Sequence, residues 1–507
     1  MKRMNFLRIL SVLFIFSIAF TACNNDDDSK VEPNSISEYK TPKYVFFFIG
    51  DGMSTPQINV TEAALNDQDF TLKSASISST VGIGKLNIRQ FPVAGMQTTH
   101  AEDRYITCSA AAATALATGY KTTINTIAMN GERTQDFTTM AEMAKAKGMK
   151  VGIISSVSID HATPACFYAH TPDRNNYQEI GQDLIASGFD YFAGGNVRFN
   201  KYKDYSLNNF ITDATAQGYS YVNTKAGFTA LNANSGRVIA TLKSLETYTG
   251  DSGAMPYAID LNAQESEDDK ITLADFTEKG IELLDNENGF FMMIEGGKID
   301  WACHANDVVS SAMDVVAFDE AIGVALAFYK EHPDETLIVV TGDHECGGLT
   351  LGFASTDYET SFDLLKHQTE SYFIFTNKVK AWKQAGTKTF EQAMTEVKTS
   401  FGLGDESKGL GLSEYEESLL RSAFEKSITG QNGYSADEAY VHYGSYDPFT
   451  VTVTHILNNK AGIDWTTFQH TGTPVPVFAL GQGQYEFSGY YDNTDIAKKI
   501  IEVAKYQ

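Results

Sequence analysis

Five stretches of the chain are mainly apolar over the length of a strand: YVFFFIG (44–50), KVGIISSVS (150–158), FFMMIEGG (290–297), TLIVVTG (336–342) and VPVFALG (475–481). None keeps a strict apolar–polar alternation. Such runs predict strands buried on both faces, hence a largely parallel sheet covered on two sides. Helical spacing lies between them. MAEMAKAKG (140–148) ends in a glycine suited to a C-cap. SSAMDVVAFDEAIGVALAFYK (310–330) sets apolar residues on one face and charges on the other. The alternation predicts an α/β fold, a central and largely parallel β-sheet flanked by helices in three layers. Residues of about 365–445 break the rhythm with charge and helix formers, as in SEYEESLLRSAFEKS, and read as a helical insertion. No internal repeat is apparent.

The first residues follow another pattern. MKRMNFLR is basic, ILSVLFIFSIAF is a short apolar run, and TAC follows. This reads as a lipoprotein signal peptide over 1–22, with Cys23 lipidated as the first mature residue. A plain signal peptide is the alternative. The run is short for a membrane span. Residues 23–41, beginning with the acidic NNDDDSK after Cys23, read as a flexible tether, and 42–507 as the folded domain. The expected location is outside the cytoplasm, lipid-anchored at a bacterial outer membrane and facing the periplasm or the surface.

The chain of 507 residues has a formal net charge of −25. That counts against a nucleic-acid-binding surface. An anionic substrate would need positive charge supplied locally, and bound metal is the obvious source. Beyond Cys23 there are four cysteines, Cys108, Cys166, Cys303 and Cys346, with no CxxC spacing. An oxidising compartment permits disulfides, and four cysteines allow three full pairings; buried thiols are the alternative.

Ligands of open α/β sheets bind beyond the carboxyl ends of the strands. Polar residues gather there. Asp51 follows the first run, Asp160 and His161 the second, and Asp343 and His344 the fourth. EGGKIDWACH holds Asp300 and His304 at i, i+4, which share one face of a helix. His470 precedes the last run. Each alone reads as a loop or cap residue. Together at one sheet edge they are costly without a cation between them. Histidine with carboxylate suits Zn²⁺, and carboxylate with hydroxyl suits Mg²⁺. In TCSAAAATALATGYKT (107–122), Ser109 stands before four alanines, either as a helix cap or as a nucleophile at a helix N-terminus.

Six motifs, in order, resemble the alkaline phosphatase family over roughly residues 42–500: FIGDGM, CSAAAATALATG, HATPACFYAHTPDR, EGGKIDWACH, VTGDHE and QHTGTPVPV. The resemblance implies hydrolysis of phosphate monoesters of small metabolites through a phosphoserine intermediate, with two Zn²⁺ and one Mg²⁺. It implies Ser109 as the nucleophile and Arg174 as the phosphate-gripping residue. Asp300, His304 and His470 would hold one zinc. Asp51, Asp343 and His344, with Ser109, would hold the other. Asp51, Thr163 and Glu295 would hold the magnesium. Homodimers and monomers both occur in such a family.

The chain departs from the best-known bacterial form of that family at four positions. Cys108 stands where that form has the aspartate that helps position the arginine. His161 and Trp301 replace an aspartate and a lysine near the third metal, and Cys346 replaces a histidine. His161, Trp301 and Cys108 are therefore expected around the metal ligands rather than among them. His100, His332, His367, His442 and His455 lie off the motifs, and His170 reads as structural. Two other readings remain open at this point. One is a phosphodiesterase of the same superfamily; a sulfatase would need a proline two positions after the nucleophile, which is absent. The other is a non-catalytic phosphate- or metal-binding lipoprotein.

Overall fold

Ten strands form the central sheet of the computed structural model, which describes residues 39–66, 86–198, 205–243, 252–263, 270–431 and 433–507. The expected signal peptide, Cys23 and the tether up to residue 38 lie outside the described residues. In chain order the strands are β1 (Tyr44–Gly50), β2 (Val93–Thr98), β3 (Lys150–Ser155), β4 (Tyr191–Gly194), β5 (Tyr219–Val222), β6 (Arg237–Thr241), β7 (Phe290–Glu295), β8 (Thr336–Gly342), β9 (Val475–Gly481) and β10 (Gly489–Asp492). Their order across the sheet is β10-β2-β9-β8-β1-β7-β3-β4-β6-β5. All neighbours pair parallel except β9, which runs antiparallel to both β2 and β8. The folded unit begins at Lys40, whose Nζ meets Asp334 at 3.1 Å.

The central strands are buried at every residue, as continuous apolar runs require. Successive side chains of β1 serve opposite layers. Phe46 and Phe48 meet Phe328 and Phe318 of the helix Val308–Glu331, while Phe47 turns to Phe167. Burying each such ring contributes roughly 1.5–3 kcal/mol.

The helix Val308–Glu331 departs from the amphipathic expectation. Asp314, Asp319 and Glu320 are buried along with its apolar residues. The reason is that both of its sides are covered. Asp319 accepts from the backbone N–H groups of Asn87 and Ile88, and Asp314 from that of Ala258. Burial pushes the Asp314 and Asp319 carboxyls up to about 7.

Between β8 and β9 the chain forms the helices Tyr372–Ala385, Phe390–Phe401, Glu414–Thr429 and Ala436–Tyr443. They contribute no strand to the central sheet. Phe375, Phe401 and Phe424 give the first three a small aromatic core against Phe449, on the helix Pro448–Lys460. No helix among the described residues is long and apolar enough to cross a membrane.

Candidate metal and phosphate site

Four neighbouring strands, β8, β1, β7 and β3, end at one edge of the sheet. Their carboxyl ends deliver Asp343 and His344, Asp51, Glu295 and Ser155. β9 is antiparallel, so the segment that enters it arrives at that same edge. There His470–Thr471 pairs with Glu345–Cys346, and His470 stacks on His344 with ring centroids 3.6 Å apart. The turn after β1 depends on Gly52. It has φ of +71°, and a Cβ would lie 2.8 Å from the Asp300 Cα. Through this turn the Gly52 N–H reaches Asp343 Oδ1 at 3.1 Å.

Three groups of ligand atoms result, each with its members within 4.8 Å of one another. The first comprises Asp300, His304, Cys346 and His470. Asp300 and His304 share a face of the helix Lys298–His304, and His304 Nε2 lies 3.2 Å from Asp300 Oδ2. His304 Nδ1 donates to the Phe468 carbonyl at 2.7 Å, and His470 Nδ1 to the Thr107 carbonyl at 2.9 Å. A carbonyl only accepts, so these contacts fix both tautomers. The two Nε2 atoms then turn lone pairs toward each other at 3.1 Å. Metal-ligating histidines are oriented in this way. The Cys346 thiol is 3.7 Å from the Asp300 carbonyl, and burial pushes it well above the usual thiol range.

The second group comprises Asp51, Asp343 and His344, all fully buried. His344 Nε2 is 3.3 Å from Asp51 Oδ1, 3.3 Å from Asp343 Oδ2 and 3.4 Å from Ser109 Oγ. Asp343 Oδ1 accepts from Gly52 and His344 backbone N–H groups, which aims Oδ2 at the site. The third group is Asp51, His161 and Glu295. Thr163 Oγ1 lies 3.4 Å from Asp51 Oδ2, and Ser155 donates to Glu295 Oε2.

The donor set fits cations. Asp51 Oδ1, Asp343 Oδ2, Glu295 Oε1 and Asp300 Oδ1 are buried without a hydrogen-bond partner. Burial, with the charges of Asp343, Asp300 and Glu295, holds the Asp51 carboxyl well above the usual range. Burial and the Asp300 charge do the same to Asp343, and Glu295 is pushed to about 7. Orphaned carboxylate oxygens in a dry setting cost several kcal/mol each unless paired.

Ser109 is the first residue of the helix Ser109–Thr118, but the cap is Cys108, whose side chain makes no capping bond. The serine hydroxyl is therefore turned to His344 instead of to its own helix. Cys108 Sγ accepts from the Asn125 N–H at 3.3 Å. Arg174 is held without an aspartate at 108. Its N–H donates to the Asn125 carbonyl, and its Nη2 lies 3.3 Å from His161 Nε2. Burial and the Arg174 charge lower the His161 pKa, so the ring is a neutral acceptor. Trp301 meets His161 edge-on at 5.6 Å. Among the described residues, Cys108, Cys166, Cys303 and Cys346 are free thiols, three of them buried, so a disulfide among these four does not hold. His170 is bonded to Glu142 Oε1 at 3.0 Å and belongs to none of the three groups.

Several contributors carry no signal in sequence. The carbonyls of Phe468 and Thr107 orient the histidines whatever their side chains. Ser155 looks like any strand-end serine. Lys298 is buried, with its Nζ 3.5 Å above the Tyr257 ring and 4.8 Å from Trp301, and burial lowers it to about 8.

The family described as "Alkaline phosphatase" matches residues 42–506. The chain belongs to the alkaline phosphatase family. It is 30% identical over 472 residues to Alkaline phosphatase 4 of Bacillus subtilis, covering 91% of this chain and 88% of that protein. The cold-active alkaline phosphatase of Shewanella sp. superposes with a TM-score of 0.71 at 27% identity, covering 91% of this chain and 99% of that one. A mutant TAB5 alkaline phosphatase with Mg bound in its M3 site has a TM-score of 0.61 at 27% identity, over 93% and 100% of the two chains. Membership makes this chain a metal-dependent phosphomonoesterase, and the ten-stranded, mostly parallel sheet is the fold of its relatives.

Proposed function

We propose that this alkaline phosphatase works through a phosphoserine on Ser109, with two Zn²⁺ and one Mg²⁺. Asp300, His304 and His470 would hold one zinc, Asp51, Asp343 and His344 the other, and Asp51, Thr163 and Glu295 the magnesium. When bound, these cations supply the positive charge that ionises a serine hydroxyl and stabilises a leaving oxygen near neutral pH and above. The observation that carries the reading is the Ser109 hydroxyl, buried and turned toward His344 amid orphaned carboxylate oxygens.

The remaining chemistry belongs to the chain's own residues. Ser109 Oγ forms a bond to phosphorus as the bond to the ester oxygen breaks, and the alcohol leaves. Water then breaks the Oγ–phosphorus bond and releases inorganic phosphate. The free N–H groups of the Ser109 helix face the phosphate, which favours an anion there. Arg174 offers a planar fork to two phosphate oxygens, and His161 sets its direction. The Cys346 thiol lies beside the Asp300, His304 and His470 set, 3.7 Å from the Asp300 carbonyl. The Mg-bound M3 site of the TAB5 mutant supports a third cation here. The sequence of residues 1–23 supports export and lipid anchoring through Cys23.

The test is to quench turnover in acid and map the phosphate by mass spectrometry, alongside metal analysis of the same preparation. Phosphate on Ser109, about two zinc and one magnesium per chain, and a monoester kcat/KM far above that for a diester are expected. Ser109→Ala with wild-type turnover overturns the nucleophile assignment.

A further inference from the structure

The loop that leads into the Ser109 helix carries two apolar residues at the surface. Tyr105 is 75% exposed and Ile106 47% exposed. They are not stray. The Tyr105 ring lies on the backbone of Gly472, where a Cβ would come within 2.4 Å of ring atom Cε1. Gly472 is two residues after His470, and Thr107, two residues after Tyr105, accepts from His470 Nδ1. The ring is thus tied to the His470 segment at two points. A second exposed ring reaches that segment from the other direction. Gln469 Nε2 donates to the Tyr440 hydroxyl at 2.7 Å, and Tyr440 is 42% exposed on the helix Ala436–Tyr443, which buries no residue. Among the described residues no other aromatic ring covers Tyr105 or Tyr440.

The segment between these rings supplies His470 to the Asp300–His304 group. The Ser109 hydroxyl lies at His344, in the Asp51–Asp343–His344 group, which leaves the Asp300–His304 group for the leaving oxygen, so whatever is esterified to the phosphate extends toward the rings. The geometry points to Tyr105, helped by Tyr440, as a stacking platform for the base of a nucleoside monophosphate. This rests on the monoesterase reading above and names its preferred substrate class. Flat exposed rings bind a base through its π-face, a sequence-tolerant contact.

The experiment compares kcat/KM for adenosine 5′-monophosphate and for glycerol phosphate on the full-length, metal-loaded enzyme. Tyr105→Ala is expected to lower the ratio of the two values about five- to tenfold, through KM for the nucleotide. Tyr105→Phe, which keeps the ring, is expected to retain the wild-type ratio, and Tyr440→Ala to lower it less. A ratio unchanged in Tyr105→Ala overturns the platform while leaving the monoesterase reading intact. So does a Tyr105→Phe variant as impaired as Tyr105→Ala. A wild-type enzyme that hydrolyses neither compound overturns the monoesterase reading and the platform together.

Discussion

At the carboxyl edge of the sheet, buried ligand groups are brought together from far along the chain: His344 meets Asp51, Ser109 and His470. In the inserted helices the partners are local. Ser371, Thr389, Ser413 and Ser435 each accept from the N–H three residues on, and Gly386, Gly402 and Gly430 close helices in the left-handed conformation. Charges there pair at the surface, as Glu417 and Glu391 do with Arg421, for little gain. The insertion is written in short-range signals and, among the described residues, buries no orphaned carboxylate. The edge gathers carboxylates that repel one another, and a cation is what reconciles them.

Metal removal should separate the two regions most sharply. A chelator is expected to take turnover to background and to raise amide exchange over 298–304 and 468–472, leaving 414–429 protected. Equal loosening of both, read by hydrogen-exchange mass spectrometry, would break the comparison. Next in size is Arg174→Ala, expected to lower kcat/KM about 10²- to 10³-fold with an unchanged melting curve, as for loss of a transition-state donor. A fall in thermal stability instead would make Arg174 part of the scaffold.

His455 lies where the two regions meet, its Nε2 bonded to Asn306 Oδ1 at 3.0 Å. Burial lowers its pKa to about 4. The unfolded chain takes up that proton near pH 6.5, and the folded one only near 4. Its contribution is therefore complete above 6.5 and shrinks as pH falls toward 4, by about 3 kcal/mol. The stability advantage of wild type over His455→Gln, from denaturant titrations at pH 7.5 and 4.5, is expected to narrow accordingly. A pH-independent difference would contradict the neutral buried ring. The smallest effect is that of Ser413→Ala, which removes a capping box far from the edge. About 1 kcal/mol of stability should be lost with kcat/KM unchanged. A drop in kcat/KM would tie the insertion to catalysis.

The five long apolar runs were legible as central strands because burial on both faces leaves a continuous pattern. β4, β5, β6 and β10 span four or five residues, and β2 mixes exposed with buried positions, so they left none. The inserted helices were legible as a helical insertion from their charge and helix formers. The helix Val308–Glu331 was legible as a helix but misread as half-exposed, because nothing local tells that Asp314 and Asp319 find backbone donors across the fold.

By itself the sequence determined the five central strands, the helical insertion and the residue types that hold cations, since these depend on spacing and side-chain chemistry. It also carried the family, through six ordered motifs. The tertiary structure decided the rest. The antiparallel direction of β9 brings His470 to the edge where parallel strands end. The carbonyls of Phe468 and Thr107 choose the tautomers of His304 and His470. His161 takes up Arg174 where Cys108 offers no carboxylate. Each is a contact between segments distant in sequence, made through backbone atoms or ring orientation, and residue spacing does not encode those.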